Sequence, residues 1–143
     1  MSKISVVYWT GSGNTQVMAE AIARGIESGG KESECVFVTG ASVESLKTQP
    51  VFALGCPAMG AEVLEEGEME PFVEEVEKIA SGKKIALFGS YGWGDGQWMR
   101  EWEERMSAAG AQIVNGEGLI VQDMPDDNGI ADCEKLGTQL AAM

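Results

Sequence analysis

The sequence contains no histidine. That absence excludes imidazole acid–base catalysis, Ser-His-Asp and Cys-His nucleophiles, and histidine metal sites. Cations are scarce as well: 10 Lys+Arg stand against 23 Asp+Glu, a net charge of −13. Such a chain repels phosphate backbones and anionic lipid surfaces, so neither nucleic acid nor membrane is an expected partner. Cysteine is limited to Cys35, Cys56 and Cys133, widely spaced and without a CxxC. An odd number so placed argues against a disulfide framework and against a thiolate metal site. The expectation is three reduced thiols packed as small hydrophobes. The first apolar stretch, Ile4 to Tyr8, is too short for a signal segment or a membrane span. A soluble, cytoplasmic protein is expected.

What is present fits one domain over residues 1–143, enough chain for a single sizeable core. Short apolar, β-branched runs recur at Ile4–Tyr8, Cys35–Val38, Val51–Leu54, Ile85–Phe88 and Leu119–Val121. Most are continuously apolar rather than alternating, as strands buried on both faces of a parallel sheet must be. Helical spacing separates them. Met18, Ile22, Gly25 and Ile26 form one stripe; Phe72, Val76 and Ile79 another; Trp98, Trp102, Met106 and Ala109 a third. A weaker helix is expected within Ala41–Thr48, and a last one over Ile130–Ala142 with Asp126 or Asp127 as N-cap. Gly29-Gly30, Gly82 and Gly110 close helices. Five strands alternating with helices predict an α/β domain, a doubly wound five-stranded parallel sheet with helices on both faces. Ligands of such sheets sit beyond the carboxyl ends of the strands.

Three loops at those ends carry chemistry. After the first strand, Thr10-Gly11-Ser12-Gly13-Asn14-Thr15 gathers hydroxyls, an amide and freed backbone N–H groups at a helix N-terminus. Donors plus the positive end of the helix dipole make a phosphate site without a cation. Other phosphate loops fit badly. There is no lysine for a P-loop, and Gln16 stands where a dinucleotide GxGxxG needs its third glycine. After the third strand come Pro57-Ala58-Met59-Gly60-Ala61-Glu62, and after the fourth Ser90-Tyr91-Gly92-Trp93-Gly94. Met59 and Trp93 are placed to close on a flat aromatic ligand. Trp9, Trp98 and Trp102 fall on strand or helix stripes and are expected in the core or on helix faces.

Taken in order, Thr10–Thr15, Met59-Gly60 and Ser90–Asp95 resemble the short-chain, clostridial-type flavodoxins along the whole chain. The resemblance implies strand order 2-1-3-4-5 and one tightly but noncovalently bound FMN. Its phosphate would rest on Thr10, Ser12, Asn14 and Thr15 with the Gly13 backbone, and its ring between Met59 and Trp93. Glu62 would accept from the flavin N3–H, and amides around Gly92 would meet the pyrimidine edge. The peptide after Gly60 would turn its carbonyl to a reduced N5–H, a swing that glycine permits. Two positions depart from the pattern: Pro57 removes a hydroxyl and an N–H that some relatives supply with serine, and Ala61 replaces a frequent aspartate or glycine.

The function so implied is a low-potential one-electron carrier, cycling mainly between semiquinone and hydroquinone and without substrate chemistry of its own. The acidic run Glu62–Lys78, eight glutamates against one lysine, is expected mostly as a solvated helix face. Beside a flavin it would steer redox partner proteins with basic docking surfaces, the carrier itself being a monomer. The alternative on the same fold is a flavin-dependent NAD(P)H or quinone reductase, which needs a substrate pocket over the flavin. A signalling receiver domain fails because Thr10 and Cys56 stand where acids belong, and a C-x5-R phosphatase loop fails because Glu62 and Ala41 stand where arginine belongs.

Overall fold

Apolar runs become strands where both faces are covered, and β1 (Lys3–Tyr8), β3 (Val51–Gly55) and β4 (Lys84–Tyr91) are of this kind. The computed structural model describes residues 3–60 and 63–143. β2 (Glu32–Phe37) lies at one edge of the sheet, which runs β2-β1-β3-β4 and is parallel throughout. Residues alternate between two cores. Val7, Leu54 and Leu87 pack with α2 (Val43–Lys47), α3 (Met69–Glu77) and α4 (Gln97–Ala108). Val6, Ala53 and Ala86 pack with α1 (Asn14–Ser28) and α5 (Asp127–Ala141).

Among the described residues the expected five parallel strands in order 2-1-3-4-5 are present, and a sixth joins them. β5 (Gln112–Ile113) and β6 (Leu119–Gln122) share the edge beyond β4, the first pairing with Lys84 and Ile85 and the second with Phe88 to Tyr91. Between them Val114–Gly116 forms a 3-10 turn, with Asn115 at φ 66°. A two-residue strand carries no apolar run long enough to be seen in sequence. β2 also ends at Phe37, because Val38 enters a 3-10 turn. Ser90 and Tyr91, expected in a loop, are the last residues of β4.

Most helix stripes match. Met18, Ile22, Gly25 and Ile26 are buried on α1, and Trp98, Trp102 and Met106 on α4. On α3 the buried residues are Met69, Val73 and Val76, while Phe72 is only half-buried, as is Ile79 just past the helix end. Asp126 caps α5, its carboxylate accepting from the Gly129 amide at 2.8 Å. All three cysteines are free, but Cys35 is exposed rather than packed inside. It stands on the edge strand β2, which has a neighbouring strand on one side alone. Among the described residues no helix is long and apolar enough to cross a membrane.

Candidate functional site

β1 ends at Tyr8, and the chain turns through Thr10–Gly13 into α1. Gly13, the N-cap, sits at φ 98°, a left-handed conformation in which side-chain-bearing residues are strained. No side chain caps the helix; the Thr10 hydroxyl instead accepts from the Gly13 amide at 3.0 Å, inside the turn. The first turn of α1 therefore presents backbone donors outward, with no acidic residue to neutralise its dipole. Thr15 is buried, its hydroxyl 3.0 Å from that of Ser90. The first turn of α1 and the end of β4 are thus bonded to each other.

A cleft of about 380 Å³ opens beside this turn, within the size range of small-molecule sites. Gly11, Ser12 and Asn14 line its polar end; Pro57, Ala58 and Met59 form one wall, and Ser90, Tyr91 and Gly92 another. Backbone hydrogen bonds hold the walls: the Ala58 amide donates to Ser90 O at 3.0 Å, and the Cys56 amide to Phe88 O at 3.1 Å. No lysine or arginine is among the cleft's residues. A larger cavity of about 450 Å³ lies between β4, β6 and α5 and carries none of the expected residues.

Two cleft residues escaped the sequence reading. Trp9 is half-buried and lines the cleft, its Nε1 donating to Glu68 at 2.9 Å. It packs against the core as expected, yet also faces the site. Asp123, in the turn after β6, lines the opposite rim at φ 57°, its amide donating to Tyr91 O at 2.7 Å. The adjacency of Trp9 to Thr10 was the available signal for the first. None existed for Asp123, since only the pairing of β6 with β4 brings it there.

Other expected residues stand apart. Trp93 is 67% exposed and does not line the cleft, while Gly60 and Gly94 are exposed at φ 45° and 88°. Thr10, Gly13 and Thr15 support the turn from behind the lining. Ala61 and Glu62 lie outside the described residues. The thiol of Cys56, just behind the wall, is pushed up to about 12 by burial, so it stays protonated and is no nucleophile. Partial burial works against the Glu65 charge, but the amides of Met69, Glu68 and Gly67 outweigh it and hold this carboxyl below its ordinary range.

The arrangement fits FMN on its own chemistry. An uncapped helix start with hydroxyls accepts a phosphate without a cation, and the apolar walls accept a flat ring. The comparisons agree. The flavodoxin family profile matches residues 6–137. The chain is 50% identical to a flavodoxin of Clostridium beijerinckii over 96% of its own length and 99% of that protein. Identity to the flavodoxin of Megasphaera elsdenii is 40%, covering 96% and 98% of the two chains. The solution structure of two-electron reduced Megasphaera elsdenii flavodoxin superposes with a TM-score of 0.90 over 98% of this chain and 99% of that one. The chain belongs to the flavodoxin family of FMN-binding electron carriers.

Proposed function

We propose that the cleft at the carboxyl edge of the sheet is the FMN site of a low-potential one-electron carrier, formed by a single domain spanning 1–143. The observation that carries this reading is the uncapped start of α1, which presents Ser12 and Asn14 to the cleft walled by Met59 and Tyr91. Thr10, Ser12, Asn14 and Thr15, with the backbone of Gly11 and Gly13, bind the phosphate. Pro57, Ala58, Met59 and Gly60 form one side of the ring site; Ser90, Tyr91, Gly92, Trp93 and Gly94 form the other. Ala61 and Glu62 are assigned to the same site. FMN, when bound, supplies the one-electron redox chemistry.

The protein's own contribution is to hold the ring, exclude water and make added negative charge costly. One carboxylate about 15 Å away, at an effective dielectric of about 20, raises that cost by roughly 1 kcal/mol, or about 40 mV for one electron. With a net charge of −13, many such contributions push the second reduction to low potential. The same charge suits partner proteins that dock through basic surfaces. We read the carrier as a monomer. Its unpaired thiols suit the cytoplasm.

The test is direct. The FMN-free chain, titrated with FMN, should quench flavin fluorescence at a 1:1 endpoint. Stepwise dithionite reduction of the yellow complex should then resolve two one-electron steps, without NADPH being oxidised unaided. A chain that stays colourless after incubation with FMN refutes the reading.

A further inference from the structure

The wall carrying Met59 is tied down at both ends of its loop. Met59 and Val63 form an isolated antiparallel bridge, Met59 N to Val63 O at 2.9 Å and Val63 N to Met59 O at 3.0 Å. Just beyond it, the Glu65 amide donates to Cys56 Sγ at 3.4 Å. Residues at both ends of the loop thus meet at one side chain. Cys56 is itself fixed: its amide donates to Phe88 O, its carbonyl accepts from Trp98 Nε1 at 3.0 Å, and it is fully buried. At the other end the Glu65 carboxylate accepts from the amides of Gly67, Glu68 and Met69 at 2.8 to 2.9 Å, anchoring the loop to the start of α3.

A thiol is a weak acceptor, and a contact of 3.4 Å adds little by attraction alone. Its weight comes from the alternative. Without the sulfur, a partly buried amide loses its acceptor, and the loop loses a tie between its two ends. We propose that the Cys56 thiol is a positioning residue for FMN: by receiving the Glu65 amide it latches the loop so that Met59 stands at the cleft wall. The proposal rests on the FMN reading of the cleft.

The test uses the full chain. Cys56→Ala removes the acceptor, and Cys56→Val removes it while retaining buried volume, which covers the case in which a cavity unfolds the protein. Cys133→Ala, on α5, is a buried truncation of the same kind remote from the loop. In the FMN-free chain, amide hydrogen exchange at Glu65 should accelerate at least tenfold in the Cys56 variants and remain unchanged in Cys133→Ala. The FMN dissociation constant should rise about tenfold in the Cys56 variants and stay within about twofold in the control. The affinities for oxidised and reduced flavin should fall unequally, and each tenfold inequality shifts the corresponding one-electron potential by about 59 mV. A merely structural thiol would leave the potentials where they are. Unchanged exchange at Glu65 overturns the latch; faster exchange with unaltered FMN affinity overturns its positioning role. Failure of the unaltered chain to bind FMN refutes the cleft reading, while the exchange data still judge the latch separately.

Discussion

At the scale of single residues, the site divides into positions that need the fold and positions that await the ligand. Trp93 belongs to the second group. At 67% exposure it contributes little to the protein alone, and the proposed role is to cover one face of a bound ring. Trp93→Ala should therefore change the stability of the FMN-free chain by less than about 0.5 kcal/mol, as exposed substitutions do. The same variant should weaken FMN binding by about 0.5–1.5 kcal/mol, the range for aromatic stacking, or roughly two- to tenfold in dissociation constant. Urea unfolding and a fluorescence titration read the two quantities independently. Trp9 is of the first group, since its indole lines the cleft while bonded to Glu68.

At the scale of elements, the helix that begins at the phosphate turn is held by its neighbour α5. The two approach closely because glycines face each other. A methyl group added at Gly137 would lie 2.0 Å from the Ile22 carbonyl oxygen and 2.9 Å from the Gly25 Cα. Alanine is the better helix former by about 1 kcal/mol, but overpacking costs about 1–3 kcal/mol and forces the helices apart. Gly137→Ala should accordingly destabilise the chain, with a lower urea midpoint at unchanged slope. α3 has a different dependence. The Glu65 carboxyl is held low by three amides at the helix start, so its contribution is complete above its ordinary value of 4.5 and is lost as pH falls through the depressed value. Glu65→Gln should thus cost stability at neutral pH, and its urea midpoint should decline less steeply than that of the unaltered chain below about pH 4.5. Glu70 follows the same sign, held low chiefly by the Arg105 guanidinium at 2.6 to 2.8 Å.

At the scale of the whole molecule, the acidic run is less free than a solvated helix face. Glu70 and Glu77 pair with Arg105, Glu75 with Lys78, Glu65 caps α3 and Glu68 holds Trp9. The long-range field remains that of an acidic molecule with a net charge of −13. Electron transfer to a basic partner should be fast at low salt and fall by about tenfold or more from 10 to 150 mM ionic strength, as the Debye length shrinks from about 30 to 8 Å. Stopped-flow rates against ionic strength measure this. A rate independent of salt would assign docking to apolar contact instead.

Sequence by itself determined the strand-and-helix alternation, the two-faced core and the glycine-rich turn into α1. Each is written locally: in continuous apolar runs, in residues recurring every three or four positions, and in glycines and hydroxyls adjacent along the chain. It could not announce β5, whose two residues become a strand only because β4 offers them an edge. Nor could it expose Cys35, which packing would have buried on any strand but an outer one. Tertiary structure alone brought Asp123 to the cleft and set the Glu65 amide on Cys56. Those meetings join residues on separate strands or at the two ends of one loop, and no local pattern encodes a distance that only the folded chain creates.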